Sequence, residues 1–286
     1  MKFLPRPVDL INASVRITGL RVTRNLAFGP LPRHRMDIYA PADAHATSPV
    51  LIFFYGGSWQ MGERADYRFV AATLARAGII VAVPDYRLHP ETAFPGFIED
   101  GALATAWMAR HAGRFGADGQ NIFLAGHSAG AYIALMLGLD PQWLRAAGYE
   151  RKNLAGLIGI SGPYDFLPIK AADIKAVFAP AADLAQTQPI NFANDEAPPA
   201  LLVTGGADTT VLPRNSTAVA ARLRAAGSVV ETRIYPGVGH IGIILSCLPW
   251  LAWRAPLLAD IEQFIAAATQ GEFAGCYSAA ERDMAG

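Results

Sequence analysis

The sequence predicts an α/β fold, a mainly parallel central sheet flanked by helices. Three observations carry that reading. Short apolar runs such as Val50–Tyr55, Ile79–Val83 and Ala200–Thr204 show no alternation of polar and apolar residues, the mark of strands buried on both faces. Helix-like segments lie between successive runs, and parallel strands need such crossovers. Glycine or proline punctuates the boundaries, as at Gly78, Gly227 and Pro256.

Taken in order, Val15–Leu26 and Arg35–Tyr39 read as opening strands joined by a turn through Gly29-Pro30, placed to form an antiparallel edge. Val50–Tyr55 is a buried strand that ends in glycines. Ala65–Ala77 reads as a helix stopped by Gly78, Ile79–Val83 as a strand and Gly101–His111 as a helix. Strand Asn121–Ala125 leads into helix Ala129–Leu137. Leu154–Ser161 and Ala200–Thr204 are further strands. Helix Thr217–Ala226 ends at Gly227, strand Val229–Tyr235 follows, and the closing helix runs from Leu257 to Ala268. Pro163–Pro199 breaks the rhythm. It is rich in Ala, Pro and Asp, with a short helix expected around Ala171–Phe178. Long excursions inside compact domains are usually functional loops or lids, so the segment is expected to be a small cap. The expected organisation is a single domain over 1–286 with a cap insertion at 163–199.

A chain of 286 residues with 52% apolar content fills one large α/β core. Its 24 basic and 24 acidic residues balance, and no long basic run offers a footprint for nucleic acid, so an uncharged or weakly charged small molecule is the expected partner. Cys247 and Cys276 lack metal-ligand spacing and read as free thiols of a reducing compartment. The first residues lack the apolar stretch of a secretory signal, and the expected location is the cytoplasm. The run Ile241–Trp253 is strongly apolar but too short to span a bilayer, and Pro249 interrupts it. It is expected to pack in the core, with no stable membrane span.

The chemistry concentrates in a few short motifs. Gly126-His127-Ser128-Ala129-Gly130 lies between a strand and a helix. A serine hydroxyl needs a base to take its proton, and it must stand clear of the backbone around it. A sharp strand-to-helix turn flanked by small residues provides that clearance, so Ser128 is the candidate nucleophile. Tyr55-Gly56-Gly57-Ser58-Trp59 ends an upstream strand, where glycines let N–H groups approach a developing oxyanion. The N–H of Ala129, after the nucleophile, is a further donor. Among six histidines, His34, His45 and His111 sit in loops or at helix ends. His89 lies in an extended stretch, and His127 cannot easily swing onto its own neighbour. His240 follows a late strand, in the flexible loop Pro236-Gly237-Val238-Gly239-His240, and is the candidate base. Asp208, after strand Ala200–Thr204, is the candidate acid. The order serine, aspartate, histidine is that of the α/β hydrolases.

The chain resembles the carboxylesterase branch of the α/β-hydrolase fold that includes hormone-sensitive-lipase-like, feruloyl-esterase-like and kynurenine-formamidase-like enzymes. The resemblance covers about Arg35 to Ala268. It rests on Tyr55-Gly56-Gly57-Ser58-Trp59, Pro84-Asp85-Tyr86-Arg87-Leu88, the motif around Ser128, Gly206-Ala207-Asp208 and Gly239-His240. It implies an oxyanion hole formed by Gly57, Ser58 and Ala129. Tyr55 departs from the family histidine at its position, and its hydroxyl is expected to hold the glycine loop. Asp85 and Arg87 match a structural segment, and Asp165 reads as a turn residue.

The expected chemistry is acyl transfer through Ser128, with no metal or organic cofactor. Trp59, Phe178 and Ile241 are candidate walls of an uncharged acyl or aryl site. The substrate is expected to be a small or medium ester. Two alternatives share the scaffold: an arylformamidase acting on an N-formyl aromatic amine, and a non-catalytic ligand-binding protein.

Overall fold

In the computed structural model, which describes residues 6–273, the strands form one eight-stranded sheet in the order β1-β2-β4-β3-β5-β6-β7-β8. The strands are β1 Leu20–Ala27, β2 Arg35–Pro41, β3 Val50–Phe54, β4 Ile80–Pro84, β5 Ile122–His127, β6 Leu154–Ile160, β7 Ala200–Gly205 and β8 Val230–Tyr235. β2 runs antiparallel to both β1 and β4, and every other pairing is parallel. The expected antiparallel edge is thus present. The apolar runs explain the centre: every residue of β3, β4, β5 and β7 is buried, whereas edge strand β1 is largely exposed.

The helices are α1 Pro7–Ser14, α2 Arg68–Arg76, α3 Gly96–His111, α4 Ala129–Leu139, α5 Pro141–Ala146, α6 Ala172–Phe178, α7 Arg214–Ala225, α8 His240–Leu245 and α9 Leu257–Thr269. Helix α4 is buried along its whole length, as its unbroken apolar sequence requires.

Several elements differ from the sequence expectation. Val15 caps α1 instead of opening a strand, since Pro7 starts a helical turn that the sequence reading left unassigned. α3 begins at Gly96, because Phe97 and Ile98 extend its buried face. α5 is short and is capped by Asp140, whose side chain accepts the Gln142 N–H. The run after His240 folds into α8 and a 3-10 turn, Pro249–Leu251. Its Ile243, Ile244, Cys247 and Leu248 are buried, but Ile241, Trp250 and Trp253 face solvent, so only part of that run packs in the core. Among the described residues no helix is long and apolar enough to cross a membrane. Burial pushes the Cys247 thiol up to about 12. Cys276 lies outside the described residues.

Candidate active site

The parallel strands point their C-terminal ends to one edge of the sheet, and the loops leaving β3, β5, β7 and β8 meet there. β5 is central, paired with β3 and β6. At its end the chain turns into α4 through Ser128, whose φ of 56° and ψ of −122° lie outside the regions favoured by residues with a side chain. Two neighbours permit the turn. A Cβ on Gly126 would collide with the Gly130 main chain, and a Cβ on Gly130 with the carbonyls of Phe54 and Tyr55. The glycines on either side of Ser128 are therefore steric requirements, and the second seats the turn directly against the loop that leaves β3. The Ser128 N–H is anchored to the Ile160 carbonyl at 2.9 Å.

Asp208 sits in the loop after β7 and is buried. Its Oδ1 accepts the N–H groups of Thr210 at 3.0 Å and Val211 at 2.9 Å. Its Oδ2 lies 2.8 Å from Nδ1 of His240, and Nε2 of His240 lies 2.9 Å from Oγ of Ser128. A proton on Nδ1, donated to the carboxylate, leaves the Nε2 lone pair facing the serine hydroxyl. The sequence placed His240 in a loop. It is instead the first residue of α8, a more fixed backbone position.

The remaining histidines have other partners. His34 Nε2 is 2.9 Å from Asp100, and its ring stacks on Phe28. His111 stacks on Trp107, and His45 meets the Thr47 hydroxyl. The His89 N–H donates to the Trp59 carbonyl at 2.8 Å. Asp85 binds Arg64, and Arg87 binds Asp100, so both serve the scaffold as expected. Asp165 donates its N–H to Asn215 Oδ1 at 3.0 Å.

The loop after β3 is a tight reversal. Gly57, Ser58 and Trp59 all have positive φ, at 137°, 54° and 59°. The Gly57 carbonyl accepts the N–H groups of Gln60 at 2.9 Å and Met61 at 3.0 Å. The N–H groups of Gly57 and Ser58 make no backbone hydrogen bond among the described residues. Ala129 opens α4, where N–H groups have no intrahelical acceptor. The N–H groups of Gly57, Ser58 and Ala129 thus lie on the loop after β3 and at the start of α4.

Tyr55 does not hold this loop in the expected way. Its buried hydroxyl accepts from Arg33 Nη2 at 2.8 Å, and its ring stacks on Tyr86. Arg33 in turn donates to the Gly62 carbonyl at 3.0 Å, so the support is indirect. The hydroxyl on the glycine loop belongs to Tyr67, which accepts the Gly56 N–H at 3.2 Å and lies 2.8 Å from His127 Nδ1. His127 Nε2 lies 3.1 Å from the carbonyl of His240. Tyr67 carries no local motif, and the sequence marks His127 only as the neighbour of Ser128.

Trp59 and Phe178 are brought together, edge to face at 5.0 Å, in a cluster with Phe97, Tyr132 and Phe166. Both are buried, whereas Ile241, next to His240 at the start of α8, is exposed. The 163–199 segment is pinned down by backbone and side-chain bonds: Tyr132 Oη donates to the Thr187 carbonyl, the Phe94 N–H to the Val177 carbonyl, and Gln60 to Asp173.

A model of the BD-FAE family matches residues 36–223, which contain the elbow, the glycine loop and the acid. The chain belongs to the BD-FAE family. It is 27% identical over 247 residues to the isoprenylcysteine alpha-carbonyl methylesterase ICME of Arabidopsis thaliana, covering 79% of this chain and 58% of that protein. It is 30% identical over 237 residues to esterase LipC of Mycobacterium tuberculosis, covering 76% of this chain and 59% of that one. The chain thus spans less than six-tenths of the length of these two relatives. Esterase B from Lactobacillus rhamnosis superposes with a TM-score of 0.78 at 20% identity, over 94% of this chain and 92% of the other. That likeness shows the α/β-hydrolase fold. The curated relatives it matches thus include proteins named as esterases.

Proposed function

We propose that this BD-FAE protein cleaves a small or medium uncharged carboxylic ester through an acyl-enzyme on Ser128. The observation that carries the reading is the continuous line from Asp208 through His240 to Ser128, at 2.8 Å and 2.9 Å. His240 takes the Ser128 proton as Oγ attacks the carbonyl carbon. Asp208 holds the imidazole tautomer and stabilises the imidazolium that forms. The N–H groups of Gly57, Ser58 and Ala129 receive the oxyanion, where pre-oriented donors are worth most. His240 then protonates the leaving alcohol. In the second half of the cycle it activates water, which releases the acid and restores Ser128.

The aromatic cluster beside Ser58 supports an uncharged substrate, since a charge near it would lose hydration without a partner. The 163–199 segment supplies Phe166 and Phe178 to that cluster, and we assign it the selection of substrate. A fluorophosphonate probe should label the wild type and fail to label Ser128→Ala. In that variant kcat on p-nitrophenyl esters should fall by on the order of 10⁴-fold or more. Undiminished labelling of Ser128→Ala would end the assignment. Esters of graded acyl length, with an N-formyl aromatic amine beside them, would then define the substrate.

A further inference from the structure

Two side chains that the mechanism above does not use join its two halves. Tyr67 Oη accepts the Gly56 N–H, so its own proton is free to point at His127 Nδ1, 2.8 Å away. His127 Nδ1 must then be the acceptor, which leaves the ring proton on Nε2, facing the His240 carbonyl at 3.1 Å. One directional chain of hydrogen bonds thus runs from the glycine loop, through Tyr67 and His127, to the main chain of His240. Each residue has a fixed place. Gly56 precedes the donors Gly57 and Ser58. His127 precedes the nucleophile. The carbonyl at the far end belongs to the residue whose ring faces Ser128 Oγ.

We propose that Tyr67 and His127 are a positioning pair that sets the oxyanion loop and the His240 backbone in register across Ser128. The proposal rests on the serine-esterase reading above. Neither residue touches the reacting atoms. Their effect is geometric: misplacing donors or base by fractions of an ångström costs rate. The chain of bonds requires a neutral His127. An imidazolium would carry protons on both nitrogens and break the acceptor link to Tyr67. Burial above all, then the neighbouring His240, holds the His127 ring down at about 3, so the neutral form prevails where esterases work. The neutral ring also adds no repulsion when His240, at a ring-centroid distance of 4.8 Å, takes the serine proton.

The test compares Tyr67→Phe, His127→Gln, His127→Leu and the Tyr67→Phe/His127→Leu double variant. Assays are a p-nitrophenyl ester for turnover and a p-nitrophenyl dialkyl phosphate for the rate of Ser128 phosphorylation. Tyr67→Phe removes only the hydroxyl. It should lower kcat about 10-fold, less than the ~10²–10³ for losing an oxyanion donor itself, and leave KM within about twofold. His127→Leu should lose more, and His127→Gln, which keeps a donor for the His240 carbonyl, should recover part of that loss. Because the two groups act in one chain, the double variant should be no slower than His127→Leu. Phosphorylation rates should fall in parallel with kcat, and the lower limb of the kcat/KM profile should keep one ionisation. Should His127→Leu fail to fold, Tyr67→Phe and His127→Gln decide the matter. An unchanged kcat in Tyr67→Phe, a loss confined to KM, additive losses in the double variant, or a new ionisation would each overturn the pair. A wild type that neither turns over ester nor is phosphorylated on Ser128 would instead overturn the esterase reading itself.

Discussion

Tyr55 is a buried phenol at the start of the glycine loop, and its surroundings settle what it can do. Burial pushes its ionisation well above the ordinary phenol range, so it is no base. Its hydroxyl accepts from Arg33, and Arg33 retains the carbonyls of Tyr86 and Gly62 when that acceptor is lost. Tyr55→Phe should therefore lower kcat by less than about 10-fold and stability by about 1.5–3 kcal/mol, the worth of a hydrogen bond to a charged group. A kcat loss comparable to that of Ser128→Ala would place Tyr55 in the chemistry. Residues differ in how far the chain alone reveals them. Ser128, Asp208 and His240 are readable as a set because each follows a recognisable strand and chain order links them. Tyr67 is not: its partner His127 is 60 positions away, and nothing in the local sequence specifies that contact.

At the scale of elements, the strands that carry the site are legible because both their faces are buried, which leaves continuous apolar runs. The short helices are less so. α8 is six residues long, too short for a periodic pattern, so the sequence marks the residues after His240 as apolar and core-packed without marking them as helix. The 163–199 segment is recognisable as a break in rhythm that holds one short helix, α6. Its conformation depends on long-range bonds, such as that from Tyr132 to the Thr187 carbonyl, which no local propensity encodes. Those bonds bear on how its role is tested. Shortening the segment would uncover the aromatic cluster and cost stability, so a point change is cleaner. Phe178 packs on Trp59 at 5.0 Å and on Phe166 at 5.4 Å. Phe178→Ala should cost about 3–5 kcal/mol and leave a cavity beside Trp59. In the folded variant, kcat/KM across p-nitrophenyl esters should shift toward longer acyl chains. An unchanged ranking would remove the segment from substrate selection.

For the whole molecule, fold class follows from alternation of strands and helices, but strand order does not. That β4 lies between β2 and β3 is decided by which edges complete the core. The same burial that makes the core imposes a cost in acid. His127, the buried last residue of β5, is kept neutral down to about pH 3, whereas in the unfolded chain a histidine takes its proton near pH 6.5. Between those values the unfolded state binds the extra proton, so stability falls as pH drops from about 6.5 toward 3. Asp66 and Asp260 act in the opposite sense. Burial raises their carboxyl ionisation above its ordinary value, so the folded state binds their protons first as pH falls into the carboxyl range. Both carboxyls are shared by the wild type and a His127 variant, so the difference between the two proteins from pH 7 to pH 5 isolates the histidine. Over that interval His127 should contribute a loss of roughly 2 kcal/mol, from ~1.4 kcal/mol per pH unit below the unfolded value. Urea denaturation of wild type and His127→Gln at the two pH values measures this. The variant will be weaker at pH 7, having lost a packed ring, but its further drop at pH 5 should be smaller than that of the wild type by about that amount. Equal drops in the two proteins would show that His127 already carries its proton in the fold at pH 5, and the directional chain from Tyr67 to His240 would have to be redrawn.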